Sequence, residues 1–368
     1  MEQLPSGGVG REVGEKVSIK GAVCGKYRVF AAFIICVAIL TAAFAASSIW
    51  RTTESGQAFF DRVAGFFGAK ENASDPPPTN ENTTPAVPQT TVPPIVDEPI
   101  RIPEGATPVL PLDLSYLSRG EGYLLNETAY TPDVSSLLSA GVDLRGDGEV
   151  SANAPLVLIV HTHTAESYDR AQKGYVEGDL SSATYSANAK ENMIAVGKVL
   201  AERLNEGGIP TLQCTVNHMG EGMTLQGSYD RAADSVRAYL DQYPSIRLVI
   251  DLHRDAVMTE AGEYVQTALP DGDGTLAQVM PVIGTDSNGT EHPRWESNLA
   301  LALALRRKMN LDNNGICRPV YLRNSSFHQE LAPYSLLLEI GTGANSLEQA
   351  KRTALKVGDA LVSIFETI

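Results

Sequence analysis

The sequence predicts an α/β domain on a mostly parallel sheet with helices on both faces, preceded by one transmembrane helix and a proline-rich linker. Three observations predict it. Continuously apolar, β-branched runs such as Leu156–Val160 alternate with stretches whose apolar residues recur at helical spacing. Polar clusters follow three of those runs, at the carboxyl ends of strands where open α/β sheets bind ligands. An uncharged apolar run near the start, followed by a proline cluster, sets the first third of the chain apart.

Size and composition permit such a domain. The 368 residues, 43% hydrophobic and 20% charged, leave room for a substantial core. A formal net charge of −15 excludes a nucleic-acid binder, which needs clustered Lys and Arg against phosphate. Four cysteines without a CxxC pair are too few for a disulfide scaffold. Cys24 and Cys36 lie in or beside the apolar run, and Cys214 and Cys317 either pair or stay as two buried thiols.

Residues 1–28 read as a cytoplasmic N-terminus and 29–50 as the transmembrane helix. Crossing the hydrocarbon needs roughly 20 apolar residues, and the stretch from Val29 to Ala46 carries no charge before Trp50 marks an interface. The run is longer and starts later than a signal-peptide core, although AFAAS at 43–47 resembles a cleavage site. Arg11, Lys16, Lys20, Lys26 and Arg28 precede it, against Arg51 and Arg62 after it. Positive flanks stay inside, so the remainder is expected to be extracytoplasmic, on a single-pass protein of the cell membrane. Residues 51–108 read as a disordered stalk, because Pro76, Pro77, Pro78, Pro85, Pro88, Pro93, Pro94, Pro99 and Pro103 cannot build a core.

The folded domain is expected over 109–368. Its predicted order is a buried strand at 156–160, a helix at 187–205 stopped by Gly207 and Gly208, and a short strand near 211–216. A helix at 229–242 and a strand at 247–251 follow. Strands at 264–269 and 279–283, a helix at 296–309, a strand at 335–340 and an amphipathic helix from Leu347 complete it.

The strand at 156–160 runs into His161, His163 and Glu166, and that at 247–251 into Asp251, His253, Arg254 and Asp255. The last strand runs into Glu339, Gly341 and Gly343. Three of the six histidines thus stand at strand ends. Imidazoles with a carboxylate are the donor set of a catalytic zinc site, and a carboxylate that is not a ligand can take a proton from water. More ordinary readings stand beside this one. His161 could hold only a strand-end carbonyl or orient a ligand, and Asp251 and Asp255 could be caps or acceptors. Arg254 would bind a substrate carboxylate or pair with an acid. His218, His292 and His328 have no partner motif and read as loop residues, and Gly341 with Gly343 reads as a tight turn.

The stretches IVHTHTAESY, VIDLHRDA and LLLEIGTGANSLEQA, with NETAYTPDVSSLL at 126–138, resemble signature segments of the stage II sporulation protein P family. The resemblance covers about residues 115–368. It implies an amidase (phosphorylase/hydrolase-like) fold and a zinc N-acetylmuramoyl-L-alanine amidase, with cross-link endopeptidase activity beside it. It also implies peptidoglycan as substrate and a role in forespore engulfment during sporulation. The partners it implies are a glycan-cleaving enzyme and a multi-pass membrane protein. Carried over residue by residue, His253 is a zinc ligand and Glu339 the general base. The pair His161 and His163 supplies another ligand, His163 being favoured, with His161 kept as a second catalytic candidate. The amidases' glutamate ligand has no clean match. Glu191 is out of place with Ala189 nearer the expected site, and Glu166 is the substitute, so the set becomes His163, Glu166 and His253. Two alternatives remain: a non-catalytic, membrane-tethered wall-binding scaffold, and a zinc peptidase of other specificity.

Overall fold

Parallel strands need a long crossover between them, whereas antiparallel ones can be joined by a short return. That difference organises the molecule. In a computed structural model the chain is described over residues 100–366, apart from 116–119, 121, 147–153, 221, 223, 273 and 314. The expected N-terminus (1–28), transmembrane helix (29–50) and most of the stalk (51–99), with Cys24 and Cys36, lie outside the described residues. Among the described residues no helix is long and apolar enough to cross a membrane.

The elements in chain order begin with β1 (Ala106–Pro111), β2 (Leu124–Asn126), α1 (Val134–Ala140), β3 (Val157–Val160) and β4 (Tyr175–Glu177). Next come α2 (Leu180–Ala183), α3 (Met193–Glu206), β5 (Thr211–Gln213), α4 (Ser228–Gln242) and β6 (Leu248–Asp255). They are followed by β7 (Tyr264–Gln266), β8 (Ala268–Asp271), β9 (Gly274–Ala277) and β10 (Val279–Gly284). The last are α5 (Trp295–Asp312), β11 (Val320–Arg323), β12 (Tyr334–Thr342) and α6 (Leu347–Glu366).

The main sheet has seven strands in the order β2-β11-β10-β12-β6-β3-β5. Its neighbours are parallel except at β10–β12. A three-stranded sheet, β4-β1-β7, contains one antiparallel and one parallel pair, and β8–β9 is an antiparallel hairpin. The expectation of a mostly parallel sheet is therefore corrected to a mixed α/β arrangement. The reason is connectivity: no helix lies between β6 and β10, so the chain returns through β7 and the hairpin and enters β10 in the opposite direction.

The expected boundary at 108/109 is corrected as well, because it falls inside β1, which pairs on both sides. Pro108 and Pro111 sit in this strand without disrupting it, since the amides of Val109 and Leu112 donate to Gly174 and Gln266. The helix expected from 187 begins at Met193. Asn188 forms a polar turn that binds Glu191, and Asn192 caps the helix by accepting the Ile194 amide at 3.0 Å.

The main sheet has helices on both faces. Val157, Ile159, Leu248, Ile250, Leu252, Leu336 and Leu338 pack beneath α3, α5 and α6. Their neighbours Leu158, Val160 and Val249 join Val236 of α4 on the other side. Helix α6 buries Ala350, Ala354, Val357, Leu361 and Phe365, a stripe at three- and four-residue spacing. Each fully buried leucine or phenylalanine of this kind contributes about 1.5–3 kcal/mol. Cys214 and Cys317 are buried, free thiols, and burial pushes Cys317 up to about 12. Strand alternation, set by this two-sided core, decides which polar residues meet at the sheet edge.

Candidate metal centre

On β6 the residues in step with Val249 are Asp251, His253 and Asp255, so they leave the face covered by α4. On β12 the residue in step with Leu337 is Glu339, and it is paired with His253 in the parallel register. On β3 the parity is the reverse: Leu158 and Val160 take the α4 face, and His161 falls on the side of α3. Its Nε2 lies 2.9 Å from Gln213 Nε2, and its ring stands against Gly197 of α3. Burial lowers the His161 pKa to about 4. It takes no part in the cluster described next.

Beyond β3 the chain turns, with the Glu166 amide donating to the His163 carbonyl at 2.9 Å. The turn is stitched down by Ser167 N to Thr184 O at 2.8 Å and Met193 N to Glu166 O at 3.0 Å. It brings three donors together. His163 Nδ1 lies 3.2 Å from Glu166 Oε1, and His253 Nδ1 lies 3.4 Å from Glu166 Oε2. His163, Glu166 and His253 each offer a ligand atom, all within 4.8 Å of one another, and form a group that could hold a metal ion. Two imidazoles and one carboxylate match the three protein ligands of a catalytic zinc site, and donor separations near 3.4 Å suit metal–ligand bonds of about 2.1 Å.

The electrostatics favour a cation. Burial opposes ionisation of Glu166, but hydrogen bonds from His163 and His253 hold its carboxyl well below the usual range. Burial likewise opposes charge on His253, and Asp251 and Glu166 override it and raise its pKa well above the ordinary value. Glu339 differs. Burial pushes it up to about 8, with His253 pulling down and Asp255 and Glu166 pushing up. Its Oε2 is buried without a hydrogen-bond partner among the described residues. Such an atom is costly unless something is to meet it.

The flanking residues have defined places. The Arg254 guanidinium is taken up by Ser167 O, Thr184 O and Thr184 Oγ1 at 3.2–3.3 Å and by the Tyr185 ring, so it ties the turn to the sheet. Asp255 pairs with Arg318 at 2.7 Å. Glu191 bonds Arg170 and Asn188 at the surface, apart from the three donors. His218 is buried, its ring between His161 O and Ser235 Oγ.

Three neighbours are not among the site candidates: Thr162 and Tyr229 are not singled out by the sequence, and His328, expected to be an ordinary loop residue, is buried in the network. Thr162 bonds Asp251, and His328 reaches both of them. Tyr229, at the start of α4, stacks over His253 at 6.4 Å between ring centroids and meets His163 edge-on at 5.5 Å. Only Thr162 stood inside a motif. Nothing local marks His328 or Tyr229, which arrive from distant segments.

A family model described as Stage II sporulation protein P (SpoIIP) matches residues 98–362. The Stage II sporulation protein P of Bacillus subtilis (strain 168) is 26% identical over 228 residues, 59% of this chain and 53% of that protein. The chain thus spans about half the length of this curated relative. Among solved structures, the apo N-acetylmuramyl-L-alanine amidase Ami1 from Mycobacterium abscessus aligns at a TM-score of 0.34 and 15% identity, covering 57% of this chain and 99% of that one. An N-acetylmuramoyl-L-alanine amidase from Clostridium difficile 630 aligns at 0.35 and 12%, covering 58% and 98%.

Proposed function

The chain belongs to the stage II sporulation protein P family, and from that premise we propose that it is a peptidoglycan hydrolase of sporulation. Its activity is that of a zinc-dependent N-acetylmuramoyl-L-alanine amidase, with cross-link endopeptidase activity at the same site. The observation that carries this reading is the convergence of His163, Glu166 and His253, with Glu339 in register beside His253.

His163, Glu166 and His253 are the residues that would hold the metal. When bound, zinc supplies a water of lowered pKa and polarises the carbonyl to be attacked. Glu339 is the base. Burial alone keeps it protonated near neutrality, and a neighbouring cation favours its ionised form. It takes the proton of the attacking water as the C–O bond forms, then passes that proton to the amide nitrogen as the C–N bond breaks. Tyr229 walls the site and limits water around the two imidazoles. Both the lactyl amide and a peptide cross-link are amides, so one site serves both.

Residues 29–50 anchor the protein in the cell membrane with the domain outside, and the proline-rich stretch gives it reach to the wall during engulfment. A glycan-cleaving enzyme and a multi-pass membrane protein are its partners there. The test is digestion of purified peptidoglycan by the full-length chain with zinc, with chelator, and as Glu339→Ala. Release of stem peptides that requires both metal and Glu339 is the expected result. Wall that is bound but never cut returns the scaffold reading, and cleavage of other peptides alone returns the peptidase.

A further inference from the structure

The buried carboxylate of Asp251 has no role in the proposed reaction, yet it is the hub beneath the metal ligands. Its Oδ1 accepts the Thr162 amide at 2.9 Å and its Oδ2 the Thr162 hydroxyl at 2.7 Å. The same Oδ2 lies 3.0 Å from His253 Nε2 and 3.3 Å from His328 Nε2. Thr162, Asp251 and His253 are at most 2% exposed, and His328 is 7% exposed.

The proton inventory assigns the tautomers. The Thr162 hydroxyl has one proton and gives it to Asp251. It must therefore accept from His328 Nε2 at 2.9 Å, which places the His328 proton on that nitrogen. His253 presents Nε2 to the same carboxylate and Nδ1 to Glu166. The approach of Nε2 to Asp251 has ion-pair distance without hydrogen-bond geometry. A carboxylate beside one ring nitrogen keeps the proton there and leaves the other nitrogen's lone pair for a metal.

The segment carrying His328 is built to stay in place. Phe327 and His328 both adopt left-handed backbone, at φ of 51° and 47°, a conformation that is strained for non-glycine residues. Gln329 pins the segment to β10, accepting from Gly284 N and donating to Val282 O at 2.9 Å each. Strain maintained this way, at a member of the network and the residue before it, indicates that the position of the His328 ring matters.

We propose that Asp251, braced by Thr162 and His328, is the positioning residue of the metal centre: it keeps the His253 proton on Nε2 and aims Nδ1 at the ion. This rests on the metal-centre reading above. The readout is metal binding by the full-length chain, measured by zinc competition against a chromophoric chelator and by the visible absorption of the cobalt-substituted protein. Wild type should bind one zinc per chain; failure to do so sinks the metal centre itself. Asp251→Asn should weaken zinc by about 10–100-fold and alter the cobalt spectrum, and His328→Asn should weaken it by a smaller factor. Unchanged affinity and spectrum in Asp251→Asn overturns the proposal and leaves the centre standing. Should Asp251→Asn not fold, His328→Asn and Thr162→Val decide: weakened zinc in them supports the proposal, and wild-type affinity in both overturns it.

Discussion

Glu339 and His253 stand in register on adjacent parallel strands, so their side chains leave one face of the sheet side by side. This is how the proposed base and a proposed metal ligand, from segments 86 positions apart in sequence number (339 − 253), come to lie side by side. The neighbouring antiparallel strand places Met280 opposite Glu339 on its other side, an apolar flank that helps keep the carboxyl dry.

The first prediction concerns pH and stability in the metal-free protein. Glu339 is raised from 4.5 to about 8 on folding. Between those values the folded state keeps a proton that the unfolded chain has released. Stability is therefore lost as pH rises from about 4.5 to about 8, by up to about 1.4 kcal/mol per pH unit from this group. Glu339→Gln removes that slope. Urea denaturation with chelator should give midpoints in which the variant gains on wild type from pH 5 to pH 8. Two parallel profiles would mean that Glu339 is solvated in the folded state.

A second prediction separates His161 from the chemistry. A methyl added at Gly197 would come within 2.5–2.6 Å of the His161 ring and of Gln213 Nε2. Gly197→Ala should cost about 1–3 kcal/mol by overpacking, read as a lowered thermal midpoint. His161→Gln should also lower stability while zinc affinity stays within about twofold of wild type. Loss of zinc in a folded His161→Gln would return His161 to the centre.

The third prediction probes the strained segment. A Cβ at Gly284 would lie 2.2 Å from the Ser325 carbonyl oxygen and 2.7 Å from that of Ser326, and backbone cannot yield as a side-chain tip can. Gly284→Ala should displace the segment that carries His328. The expected outcome is a stability loss of about 1–3 kcal/mol together with weaker zinc binding. Normal zinc affinity in a destabilised Gly284→Ala protein would show that the segment and the centre are independent.

Much of this was legible in the chain itself. Apolar runs bounded by turn residues located the main-sheet strands at 156–160, 247–251 and 335–340, and the residues after them named His163, Glu166, His253 and Glu339. Parity along each strand was legible too, because side chains alternate whatever the fold. What one strand cannot say is which of its two faces a neighbour will share. The sequence favoured His163 over His161 as the ligand but kept both in play, and it was pairing of β3 with β6 that put Leu158 beside Val249 and sent His161 toward α3.

The tertiary structure alone decided the rest. Strand direction at β10 depended on the absence of a crossover helix, a matter of connection rather than local pattern. His328, Tyr229 and the bracing of Asp251 come from segments far apart in sequence, brought together only when both faces of the sheet are covered. A motif records what one segment contributes to a strand end. A metal centre also needs the groups beneath and above its ligands, and those are placed by packing.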